Sequence, residues 1–118
     1  MVSIDGISAV TLATADMARA LAFYRDLGFV VVKGSDNAPF YSLKVGPNYL
    51  NLVHQTRNQI QSGWGRIIFY VSDVDEMYER VVRCGFQPQF APQNGPWGER
   101  YFHVKDPDGH NLSFAKPL

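Results

Sequence analysis

The sequence predicts an α+β fold made from two copies of one unit, on three observations. Asp16 is followed after twelve and thirteen residues by Gly28 and Phe29, and Asp73, 57 residues downstream, is followed at the same intervals by Gly85 and Phe86. Apolar residues alternate with polar ones in several short runs, the period of strands with one covered face. Two further segments, each led by one of those aspartates, carry apolar residues at helical spacing. A repeat of this kind sets the architecture before any single motif does.

The elements follow in order. The first strand is expected over Ile7 to Leu12, with Val10 and Leu12 opposite Ile7, Ala9 and Thr11. A helix over Ala18 to Leu27 turns Ala20, Phe23, Tyr24 and Leu27 to one side. Residues 40 to 45 set Tyr41, Leu43 and Val45 against Phe40, Ser42 and Lys44, and residues 49 to 53 set Leu50 and Leu52 against Tyr49, Asn51 and Val53. A polar connector, residues 55 to 65, separates repeat 1 (about 5–54) from repeat 2 (about 66–118), all within one domain of 118 residues. In repeat 2, Ile67, Phe69 and Val71 oppose Arg66, Ile68 and Tyr70, and a helix over Met77 to Arg83 presents Met77, Tyr78, Val81 and Val82. Phe102 and Val104 then oppose Tyr101 and His103. After the Asp106-Pro107-Asp108-Gly109 turn, Leu112 and Phe114 oppose Asn111, Ser113 and Ala115.

Composition narrows the class of function. Apolar content of 46% over 118 residues supports one real core, whereas two independent domains of about 59 residues would each be marginal. Eleven basic and eleven acidic residues give zero formal charge with no basic run, so no nucleic-acid footprint is expected. No stretch nears the roughly 20 apolar residues of a membrane span, and the start of the chain lacks a basic segment followed by an apolar one. The single Cys84 excludes an internal disulfide, fits a reducing cytoplasm, and beside Val81 and Val82 is expected to be a buried structural thiol.

With the greasy faces covered by helices, a second face remains, lined by Arg66, Tyr70, Tyr101, His103, Asn51, Ser113, Phe40 and Tyr49. A flat solvated face usually carries Lys, Glu and Thr. This aromatic and polar mixture points instead to a curved sheet enclosing a ligand pocket, or to a dimer interface, or to both.

The segment Leu21-Ala22-Phe23-Tyr24-Arg25-Asp26-Leu27-Gly28-Phe29 and the ending from Trp97 to His110 resemble the vicinal-oxygen-chelate superfamily of glyoxalase, extradiol dioxygenases, and fosfomycin- and bleomycin-resistance proteins. The resemblance implies two βαβββ repeats in a curved, partly open, eight-stranded barrel-like sheet with both helices outside. It also implies a divalent metal held by His and Glu at four positions, which here are Ala9, Asn51, Arg66 and Ser113. Ala9 has no donor atom, Arg66 is a fixed cation, and Asn51 and Ser113 offer neutral oxygens only, so no metal or other cofactor is expected.

The histidines do not restore a metal site: His54 is expected to point away, His110 to be exposed, and His103 alone to face the pocket. Acid–base chemistry by His103 with Tyr101 or Tyr70 is the enzymatic option. Loss of all four ligands most resembles the bleomycin-resistance branch, whose members are metal-free homodimers that sequester a drug between subunits. Trp97, in a Gly/Pro-rich loop, is then a stacking platform with Arg100 adding charge, or else a plug, and Trp64 is a weaker candidate of the same kind. A neutral chain with Arg66 in its pocket suits an uncharged or anionic aromatic compound better than a cationic drug. The sequence therefore leads to a cytoplasmic, homodimeric binder of an aromatic natural product such as an antibiotic. A metal-independent or atypical-metal isomerase, lyase or dioxygenase is the alternative, and a cavity-free structural dimer is a third.

Overall fold

Both halves of the repeated spacing turn out to be helix punctuation. Asp16 and Asp73 are N-caps in extended conformation, and each side-chain Oδ1 accepts the backbone N–H three residues on, from Arg19 and Glu76, at 3.0 Å. At the other end Gly28 and Gly85 take φ of +103° and +89°, which glycine adopts without steric cost. Gly28 N–H then reaches Arg25 O and Phe29 N–H reaches Tyr24 O, while Gly85 reaches Val82 O and Phe86 reaches Val81 O, all within 3.1 Å. These paired bonds are the Schellman closure, written twice.

The computed structural model describes residues 1–34 and 39–118. Its elements are β1 (Ala9–Thr14), α1 (Met17–Asp26), β2 (Val30–Lys33), β3 (Phe40–Val45), β4 (Asn48–His54), a 3-10 turn (Arg57–Gln59), β5 (Arg66–Tyr70), α2 (Val74–Arg83), β6 (Gln93–Asn94), β7 (Glu99–Lys105) and β8 (Asn111–Pro117). The fold is the expected α+β pair of βαβββ repeats. The strands of the described residues form two four-stranded mixed sheets, ordered β1-β4-β3-β2 and β5-β8-β7-β6. In each sheet the first strand of the repeat pairs in parallel with the last, and the other ladders are antiparallel. The chain divides into two compact units, Met1–Ile60 and Gln61–Leu118, at the 3-10 turn within the connector.

Each unit builds its core as the strand alternation dictates. In the first, Leu12, Tyr41, Leu43, Leu50 and Leu52 are buried, together with Ala20, Leu21, Phe23, Tyr24 and Leu27. In the second, Phe69, Phe102, Val104, Leu112 and Phe114 are buried with Val74 and Val81 of α2. Tyr78 meets Phe102 edge-on, with ring centroids 5.4 Å apart.

Several boundaries and side chains differ from expectation. Strand β1 runs from Ala9 to Thr14, two residues later than predicted, and leaves Ile7 exposed. Helix α2 begins at Val74, directly after its cap, and turns Val82 outward, 48% exposed. Cys84 is the C-cap of α2 and is half-buried rather than buried. Strand β6 is only two residues long, since Pro88 and Pro92 remove backbone donors from the stretch before it. A single bond, Gln89 N–H to His103 O at 2.9 Å, ties that stretch to β7.

Candidate functional site

The second sheet carries the richer chemistry on the face opposite α2. Between Asn111 and Pro117, its central strand β8 contributes only small residues there, Ser113 and Ala115, both buried. Strand β5 supplies Arg66, Ile68 and Tyr70 on one side, and β7 supplies Glu99, Tyr101 and His103 on the other. Because the middle strand is low, side chains from the two flanking strands meet across it.

At one end of this face they meet through Ser113. Arg66 Nη1 donates to Leu112 O at 3.1 Å and to Ser113 Oγ at 3.2 Å, and Ser113 Oγ lies 2.6 Å from His103 Nδ1. Burial, and then the Arg66 charge, hold the His103 imidazole below its ordinary value of 6.5, so it is neutral at pH 7. Phe90 packs edge-on against His103 (5.0 Å) and Tyr101 (5.5 Å), completing an aromatic wall. Among the described residues, Arg66 Nε and Nη2 have no protein acceptor, so three of its five N–H donors remain for another molecule.

At the other end, Tyr70 reaches over Ala115 and its hydroxyl donates to Glu99 Oε2, while Trp97 Nε1 donates to Glu99 Oε1 at 3.0 Å. The Trp97 ring lies on Gly95, where a Cβ would meet it at 2.6 Å, and 4.7 Å from the Tyr101 ring. Trp97 is nevertheless 59% exposed. Gln93 Nε2 donates to the Tyr101 hydroxyl at 2.9 Å and fixes that ring.

The first sheet has its own depression of about 410 Å³, lined by Ala9, Lys33, Ser42, Tyr49 and Asn51 among others. Ser42 Oγ donates to Asn51 Oδ1 at 2.6 Å, and Asn51 Nδ2 donates to Thr11 Oγ1 at 3.4 Å. Tyr49 is 42% exposed beneath the Lys44 ammonium, 5.9 Å from its ring centroid, and Phe40 is half-buried at the start of β3.

Of the residues singled out in the sequence, Arg66, Tyr70, Trp97, Tyr101, His103 and Ser113 therefore share one face, while Phe40, Tyr49 and Asn51 belong to the first sheet. Arg100 does not join Trp97. It alternates to the α2 side of β7 and forms a fork onto Asp75, Nη2 to Oδ1 at 2.8 Å, which holds the Asp75 carboxyl below its usual range. His110 is not exposed but 2% accessible, and its Nδ1 accepts the Trp64 indole N–H at 3.1 Å, so Trp64 covers a turn rather than a cavity. His54 is exposed, as expected. Glu99, Gln93 and Phe90 were missed; Glu99 shares the parity of Tyr101 and His103, whereas nothing local marks Phe90.

The four positions where the superfamily holds its metal do not fit one here. Ala9 has no donor atom, Arg66 brings a fixed positive charge, and the Asn51 and Ser113 oxygens are neutral and already hydrogen-bonded within the protein. Among the described residues, no group of three or more His, Cys, Asp or Glu side chains could hold a metal ion.

Comparison with known proteins supports the same frame. A curated protein of Mycobacterium bovis, uncharacterized, is 38% identical over 48 residues, which is 41% of this chain and 32% of that protein. The chain thus matches about a third of the length of that relative. TioX from Micromonospora sp. ML1 is 27% identical with a TM-score of 0.77, covering 96% of this chain and 99% of that one. Lactoylglutathione lyase from Agrobacterium tumefaciens is 22% identical (TM-score 0.78, 96% and 94%), and a virulence protein from Salmonella typhimurium is 21% identical (0.80, 99% and 100%). The glyoxalase/bleomycin resistance protein/dioxygenase family model matches residues 6–114, and the chain belongs to that superfamily.

Proposed function

We propose that the protein binds an aromatic natural product of antibiotic type on the open face of the second sheet, without a divalent metal at the four superfamily positions, and so sequesters it. The observation that carries this reading is Arg66. At a position where the superfamily places a metal ligand, a guanidinium is anchored through Nη1 and keeps Nε and Nη2 for an acceptor or carboxylate. The aromatic wall of Phe90, Tyr101 and Trp97 supplies the stacking surface beside it. A homodimer belongs to this proposal, since the edge strands β2 and β5 expose Val30, Val32, Ile68 and Tyr70 along with unpaired backbone groups.

The test is a fluorescence titration with planar aromatic antibiotics, comparing the parent with Trp97→Ala and Arg66→Ala after both are shown to be folded. Loss of a stacking Trp is expected to cost about 2 kcal/mol, roughly thirtyfold in affinity. Equal binding by all three proteins would refute the site.

One contact favours a second reading. A neutral His103, 2.6 Å from Ser113 and beside Tyr101, is suited to moving a proton in a metal-independent isomerase or lyase. A bound compound recovered with altered structure, and left unaltered by His103→Gln, would establish that reading over sequestration.

A further inference from the structure

Among the described residues, Glu99 is a carboxylate fixed by two neutral donors and matched by no positive charge. The Tyr70 hydroxyl and the Trp97 indole N–H orient its two oxygens but leave its charge intact. The nearby cations are engaged elsewhere. Arg100, the next residue, alternates to the other face and is taken up by Asp75 and Asn94, and Lys116 donates to Ser72 O at 2.9 Å. Among the described residues no Lys or Arg pairs with Glu99.

The surroundings of this charge are aromatic. Tyr70 is 66% exposed, Trp97 is 59% exposed, and Tyr101 lies against Trp97. An exposed carboxylate alone barely distinguishes one cation from another. Aromatic rings beside it favour a weakly hydrated alkylammonium, which gains where it lies over a ring face and loses little hydration. The phenol of Tyr70 is held above its ordinary 10.0, chiefly by its hydrogen bond to Glu99 and then by the Glu99 charge.

We propose that Glu99, with Tyr70, Trp97 and Tyr101, forms a subsite for a quaternary or protonated alkylamine. The assignment rests on the reading of this face as a ligand surface and adds a second determinant to it. Glu99 and His103 lie four residues apart on the same side of β7, about 13 Å at roughly 3.3 Å per residue. The ligand class is then an aromatic compound with an acceptor or carboxylate at the Arg66 end and an alkylammonium at the Glu99 end.

The test uses choline and its neutral isostere 3,3-dimethylbutan-1-ol, followed at the Trp97 indole N–H signal in the nitrogen-15 spectrum and assigned by its loss in Trp97→Phe. Choline is expected to bind at least about tenfold more tightly than the alcohol, a difference of about 1.4 kcal/mol. Glu99→Gln should erase that preference. Equal affinity for the two probes, no shift with choline, or a preference that survives Glu99→Gln would overturn the subsite. Aromatic ligands that ignore Arg66 and Trp97 while choline still requires Glu99 would refute the proposed function and leave the subsite standing.

Discussion

At the scale of single residues, the site turns on how Arg66, Ser113 and His103 hold one another. Arg66 and Ser113 keep His103 in place through Ser113 Oγ, and Arg66 projects its remaining donors. This has a consequence for pH. Between the lowered folded value of His103 and its ordinary 6.5, the unfolded chain carries a proton that the folded chain does not. Stability from this group is therefore complete above 6.5 and is lost as the pH falls toward the folded value. An NMR titration should place the His103 midpoint below 6.5, and Arg66→Gln should move it upward by removing the nearby cation. A midpoint at or above 6.5 in the parent would contradict the arrangement.

At the scale of elements, stability rests on local devices that the sequence writes plainly. Asp16→Ala and Asp73→Ala each remove an N-cap acceptor and should cost about 1 kcal/mol, read from urea midpoints. The Asp106 turn is closed locally too, but it is buried. Its buried Oδ1 accepts both Asp108 N–H and His110 N–H at 2.9 Å, so Asp106→Ala strands two donors and should cost about 2 kcal/mol. The two kinds of feature differ in legibility. Caps, Schellman glycines and strand parity depend on neighbours in the chain, and these revealed both helices and the facing of Tyr101 and His103. Burial of His110 depends on Trp64, 46 residues away, and no local pattern announces it. Arg100 is legible by parity: adjacent to Tyr101 in a strand, it has to face the other way, where Asp75 of α2 meets it.

At the scale of the whole molecule, the repeat explains why fold and activity separate. What recurs between the two halves is helix punctuation and core alternation, which specify the superfamily and leave its four ligand positions free to change. The dimer proposed above should appear in light scattering as a mass near twice 13.3 kDa, and a monomer at micromolar concentration would remove any role for a partner in the site. The function proposed above is metal-free capture of an unaltered aromatic ligand. Native mass spectrometry tests it most directly, on protein purified without chelator and mixed with planar aromatic antibiotics. The expected spectrum shows no divalent metal on the protein and an adduct whose released compound has its original mass, with the adduct lost in Arg66→Ala. A stoichiometric metal that survives dialysis, or a bound compound that leaves with a changed mass, would contradict it.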